Sequence, residues 1–235
     1  MKNTTSYNEK ARAALAGYIA RIENGEQLHV TIPASNIKMG SVPSISTLPG
    51  CPHVCGGTCP AVCENTCQLD CYARKIANLR PSVLNSYAKN TAILLKDPDT
   101  YWNDIHCYLL AYRPRYFRYH VSGDIFGLNY FRKMIALATV NPDTQFLAFT
   151  KAFNVVNAWI KENGQLPGNL HVLFSGWYEM QPANPYNLPE TAVYNPGDAI
   201  PENWLLCGGN CFECGCRGVG CWQVKNGQTI AFKKH

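Results

Sequence analysis

The chain has 235 residues, 46% hydrophobic and 16% charged, with 12 cysteines and a formal net charge of +5. That length can bury a full-sized core, and the apolar fraction excludes wholesale disorder. The opening residues, MKNTTSYNEKARAAL, hold no continuous apolar stretch, and no run of about 18 apolar residues occurs anywhere, so neither a secretory leader nor a membrane-spanning helix is expected.

Residues 6–24 set Ala11, Ala14, Leu15, Tyr18, Ile19 and Ile22 at helical spacing and stop at Gly25, which predicts a first helix. Residues 27–32, QLHVTI, alternate and read as a strand. A loop with little pattern then delivers a first group of cysteines. Pro52, Gly56, Gly57 and Pro60 break any helix over 51–60, so that half is expected to be loop. A helix can begin within 61–79, which would place Cys63, Cys67 and Cys71 on one face. Residues 81–97 and 98–113 read as two helices, each opening near a proline.

From there strands and helices alternate. Strands are expected at 115–121, 145–150, 170–175, 190–194 and 229–233, and helices at 130–139 and 153–162. The Pro- and Asn-rich stretch 178–205 reads as a surface excursion. Such alternation implies a parallel sheet with helices outside. The expectation is a single α/β domain over 1–235, with a partial βα barrel at least as well supported as an open doubly wound sheet.

The cysteines carry the functional signal. Cys51, Cys55, Cys59, Cys63, Cys67 and Cys71 each follow the last by four residues. Cys207, Cys211, Cys214, Cys216 and Cys221 fill a 15-residue stretch near the end, and Cys107 stands apart as a packing residue. A disulfide framework suits secreted chains shorter than about 80 residues, with cysteines spread to staple distant segments; neither condition holds. Structural zinc wants four ligands, often with a C-x2-C pair. Cys211 and Cys214 form such a pair, so the second group, 207–221, reads as a zinc or iron–sulfur knuckle. The first group, 51–71, is unpaired. Its C-x3-C run suits a loop wrapped around an iron–sulfur cube, and soft thiolate sites favour these metals over hard cations.

The strand before the Ser122-Gly123-Asp124 turn divides by face. Phe117, Tyr119 and Val121 lie on one side, and Arg118, His120 and Ser122 on the other, with Asp124 beyond. In a βα barrel the polar set faces the interior at the strand's C-terminal end, where chemistry sits. The bland alternative is a buried Arg118–Asp124 ion pair.

Four blocks resemble the phage "gene product 88" family: KMGSVPSISTLP at 38–49, CQLDCYARK at 67–75, RYHVSGDI at 118–125 and CWQVKNGQTIAFKKH at 221–235. The CYA and SGD blocks are in turn similar to parts of radical S-adenosylmethionine (SAM) enzymes. That resemblance implies Cys63, Cys67 and Cys71 as ligands of a four-iron, four-sulfur cluster and Tyr72 as the neighbouring aromatic. It implies Ser122, Gly123 and Asp124 as the turn holding the SAM amino group. The spacing here is C-x3-C-x3-C rather than C-x3-C-x2-C, the turn is SGD rather than GGE, and three cysteines upstream have no counterpart.

Two functions follow. The first is a radical SAM-like enzyme, with Arg118 and His120 lining the substrate side, Asp124 on the SAM amine and an auxiliary cluster on the C-terminal cysteines. The second is a non-enzymatic iron–sulfur or zinc protein, fully ligated by cysteine, that transfers electrons or binds a partner. Nucleic acid is a weaker third partner, suggested by Arg113, Arg115 and Arg118 among aromatics and by Lys233-Lys234. The cytoplasm of an infected host cell is the expected location.

Overall fold

A computed structural model describes residues 6–178 and 180–234, so His235 and residues 1–5 of the opening segment lie outside the described residues. The chain forms two compact units. One takes the chain up to Ile32, then Ile45–Tyr112 and His120–Asp124; the other takes Pro33–Ser44, Arg113–Tyr119 and the chain from Ile125.

The first unit is helical. Helix α1 (Tyr7–Glu23) starts at Ser6, whose side chain accepts from the Glu9 amide while Glu9 reaches back to the Ser6 N–H, a reciprocal cap. Short helix α2 (Pro52–Cys55) follows, then α3 (Tyr72–Leu79), α4 (Pro81–Lys96) and α5 (Pro98–Tyr112). Tyr7, Ala11 and Leu15 of α1 pack with Ala77 of α3, with Leu84, Ala88 and Ala92 of α4, and with Leu48 and Cys55. The strand expected at 27–32 does not form. Its ladder bonds go to side chains instead: the Val30 N–H donates to Asp104 Oδ2 at 2.9 Å and the Thr31 N–H to Asn90 Oδ1 at 2.7 Å.

Residues 51–60 are not wholly loop. Pro52 occupies the first helical position of α2, where its missing N–H costs nothing, and Gly56, at φ 74°, closes the turn. Nor do residues 61–79 make one helix. Two 3-10 turns, Ala61–Cys63 and Cys67–Asp70, precede α3, so the cysteines do not share a helical face.

The second unit is α/β. Strands β1 (Ser44–Ile45), β2 (Tyr116–Tyr119), β3 (Gln145–Thr150), β4 (Leu170–Ser175), β5 (Glu190–Tyr194), β6 (Leu205–Leu206) and β7 (Thr229–Lys233) form a sheet ordered β1-β2-β3-β4-β5-β7-β6. Ser44 and Ile45 are also where the chain passes from the second unit to the first. The pairings from β2 onward are parallel: Tyr116 lies opposite Gln145, Phe146 opposite Leu170, Phe174 opposite Glu190, and Glu190 opposite Thr229. The sheet does not close, since β1 and β6 are its edges. Helix α6 (Leu128–Val140) joins β2 to β3, and α7 (Phe153–Asn163) joins β3 to β4. Phe117, Tyr119, Phe131, Phe146, Val156 and Phe174 are fully buried. The seven-residue helix α8 (Cys211–Arg217) holds part of the second cysteine group. Among the described residues no helix is long and apolar enough to cross a membrane.

Candidate metal centres

The first cysteine group lies wholly in the helical unit, and all 12 cysteines are free thiols. Cys51, Cys55 and Cys63 are buried. The Cys51 thiol donates to the Pro60 carbonyl at 3.3 Å and to Gln68 Oε1 at 3.4 Å, and the Cys55 thiol donates to the Pro49 carbonyl at 3.4 Å. Gly50 N–H donates to Cys59 Sγ at 3.2 Å. Cys63 is the centre of the group, with its thiol within hydrogen-bond reach of those of Cys59 and Cys67. Cys71 caps α3, where the amides of Arg74 and Ala73 face its sulfur.

Electrostatics follow this crowding. Burial, and then the neighbouring Cys59, push the Cys51 thiol up to about 11. Contact with Cys59 and Cys67, reinforced by burial, pushes Cys63 upward, and burial does the same to Cys71. As thiols these groups stay protonated near neutrality. A soft cation among them would offset the cost of their charge.

The Ser122-Gly123-Asp124 turn is in the same unit and is closed by two threonines absent from the sequence expectations. Ser122 Oγ donates to the Thr47 carbonyl at 3.0 Å, and the Asp124 amide donates to Thr58 Oγ1 at 3.0 Å. Thr47 and Thr58 join hydroxyl to hydroxyl at 2.7 Å. Thr58 precedes Cys59, and the Tyr72 hydroxyl donates to the Val121 carbonyl. The turn is therefore tied to the cysteine loop at both ends. A threonine beside a loop cysteine is the one sequence signal that could have pointed to Thr58.

The strand alternation expected for the polar face stops short of His120. His120 adopts φ 57°, which breaks the two-residue alternation, and the strand ends at Tyr119. His120, Ser122 and Asp124 are buried in the first unit, whereas Arg118 belongs to the second. There its guanidinium lies 4.7 Å from the Phe149 ring centroid, and Nη1 donates to Cys211 Sγ at 3.6 Å.

The second cysteine group gathers in the α/β unit. Asn210 caps α8, its side chain accepting from the Phe212 and Glu213 amides, and Tyr116 Oη donates to the Gly215 carbonyl at 2.7 Å. A Cβ on Gly215 would stand 2.6 Å from the Tyr116 ring, so the helix lies flat on that ring. The Trp222 indole donates to the Cys211 carbonyl at 2.8 Å. Burial, then Cys207 and Cys211, push Cys214 upward; burial, then Cys211 and Cys207, do the same to Cys221, opposed by Arg118. Cys216 is exposed, and so is Cys107, which is surface rather than core. A hollow of about 450 Å³ opens beside Cys214, with Leu205, Leu206, Arg217 and Lys225 on its wall.

Among the described residues no three or more His, Cys, Asp or Glu side chains are drawn into a ready-made metal shell. The thiols are gathered without being centred on a point. In kind they suit zinc or iron–sulfur, because both groups offer sulfur donors beside backbone amides. Two imidazoles have carboxylate partners: His53 Nε2 meets Glu64 at 2.9 Å and His29 Nδ1 meets Asp104 at 3.0 Å.

A family model described as Gene product 88 matches residues 3–203. The matched stretch takes in the first cysteine group and stops short of Cys207. No curated protein and no solved structure matches the chain.

Proposed function

We propose that this chain, which belongs to the Gene product 88 family, holds an iron–sulfur cluster on its first cysteine group. The observation that supports it most is the buried Cys63 thiol between those of Cys59 and Cys67. Cys51, Cys55 and Cys71 stand by in the same loop as further donors. A bound cluster would supply one-electron redox chemistry. The chain's own part is to hold the sulfurs, exclude water and direct the Gly50 amide at Cys59 and the Ala73 and Arg74 amides at Cys71. Donors of this kind tune a cluster's potential. The reducing cytoplasm of an infected host cell suits 12 free thiols.

Of the two uses for such a site, full cysteine ligation for electron transfer is the better supported. In a SAM enzyme the acidic turn must face its ligand. Here Thr47 and Thr58 fill the space against Gly123, and Asp124 is 6% exposed. The radical SAM-like reading keeps two supports. One is the tie of the turn to the cysteine loop through Thr58 and Tyr72. The other is the β1-to-β5 run in chain order, in keeping with a partial βα barrel.

Single substitutions to serine at Cys51, Cys55, Cys59, Cys63, Cys67 and Cys71 decide between them, read by the visible absorbance of anaerobically purified protein. Cluster loss at Cys51, Cys55 or Cys59 as well as at Cys63 supports full ligation. Loss confined to Cys63, Cys67 and Cys71, with SAM perturbing the reduced cluster's EPR signal, restores the enzyme. Absence of cluster from the wild type after reconstitution with iron and sulfide overturns both.

A further inference from the structure

We infer that the second cysteine group is a structural zinc site of four ligands, Cys207, Cys211, Cys214 and Cys221, and that Cys216 is excluded from it. This stands independently of the iron–sulfur reading of the first group.

The first support is the missing core. From Leu205 to Cys221 the only buried residue is Gly215, while Leu205, Leu206, Phe212 and Val219 are 40%, 61%, 39% and 47% exposed. Apart from the Tyr116 ring under Gly215 and the Trp222 indole bond to Cys211, a two-residue strand and a seven-residue helix with so little apolar burial have few contacts to hold them folded. Small elements of that kind are held by a metal or by disulfides, and these cysteines are free thiols.

The second support is the way the backbone is wrapped around Cys214. A Cβ on Gly208 would stand 3.0 Å from its Sγ and one on Gly220 3.4 Å, so the segments before and after α8 both pass close to that sulfur. The Gly209 amide donates to Cys207 Sγ at 3.4 Å, and the Gly208 amide faces Cys214. Amides directed at sulfur are the outer hydrogen bonds that thiolate sites use. Cys207 is fixed by its N–H to the Ala231 carbonyl of β7 at 3.0 Å, and Cys211 by its N–H to the Lys38 carbonyl at 3.1 Å. One ion would thus tie β7, α8 and the 33–44 segment of this unit.

Helix geometry sets Cys216 apart. Cys211 and Cys214, three apart, share a face of α8, while Cys216 lies about 200° around from Cys214. Cys207 and Cys221 flank the helix, and Cys221 lies close enough to Cys207, Cys211 and Cys214 to feel their charge. Charge agrees: four thiolates around a divalent ion leave two negative charges. Arg118 donates to Cys211 at 3.6 Å, and Lys38 lies close enough to Cys207 to feel its charge. The hollow beside Cys214 gives the ion a way in.

The test is zinc, iron and acid-labile sulfide content in the full-length protein and in single cysteine variants. One zinc per chain is expected in the wild type, in C63S and in C216S, and near-complete loss in C211S and C214S. Loss of iron and sulfide in place of zinc from C214S would overturn the assignment, as would equal zinc loss from C216S or no zinc in the wild type. To separate ligand loss from unfolding in C211S or C214S, the wild type is also digested with trypsin before and after chelation. Chelation should expose Arg217 and Lys225 to cleavage many-fold faster, and zinc alone should reverse this. An unchanged rate after verified zinc removal would contradict a structural role.

Discussion

Gly123 stands at φ 83°, and a Cβ there would lie 1.9 Å from Thr47 Oγ1 and 2.6 Å from Thr58 Oγ1. Backbone strain and overpacking together should cost G123A about 2–4 kcal/mol, read as a lowered denaturation midpoint. An unchanged midpoint would mean that the turn is not closed by the threonines. His171 provides a pH-dependent counterpart. Burial holds its imidazole below the ordinary value, with Nε2 2.9 Å from Gln145 Oε1. Below about pH 6.5 the unfolded chain therefore binds more protons than the folded one, so stability is full above that pH and falls as the pH drops through it. H171Q should flatten the decline between pH 7.5 and 5.5 in urea titrations; an equal slope in both proteins would assign the acid sensitivity elsewhere. At this scale the sequence marked the cysteines and the SGD turn as candidates but not the residues that pack against them. Thr47 and Thr58 carry no pattern, and the left-handed backbone of His120 is invisible in an alternating strand.

Elements were legible where apolar runs are long and bounded by turn residues. Strands β3, β4, β5 and β7 fall at the expected residues, and α1 ends at Glu23, one residue short of the expected span 6–24. Where a few polar side chains decide the structure, the pattern misled. The alternation at 27–32 predicts a strand, yet Asn90 and Asp104 take its backbone bonds. Asn90 is 1% exposed and also donates to the Thr31 and Ser46 carbonyls at 3.0 and 2.9 Å. N90A should cost about 1–3 kcal/mol through groups left unpaired. It should also raise amide exchange at Thr31 well before the helices open; protection unchanged there would show that the clip is dispensable. The four-residue cysteine period misled in the same way, because 3-10 turns replaced the single helix. The short α8 was hidden because its cysteines read as ligands before they read as helix.

At the scale of the whole molecule, composition pointed to a globular chain, the strand–helix alternation to an α/β fold and the cysteine count to a metal reading, but none of them revealed two compact units. Their boundaries cross Ser44–Ile45 and Tyr119–His120, within stretches that look continuous in the sequence. Each cysteine group stays within one unit, so the account predicts two centres that load and fail separately. The most direct test of the central claim is iron and acid-labile sulfide analysis of the anaerobically purified, reconstituted wild type beside C63S. About four irons with matching sulfide in the wild type, and neither in C63S, is the predicted result. Zinc with no sulfide in the wild type, or a full iron and sulfide complement retained by C63S, would contradict it.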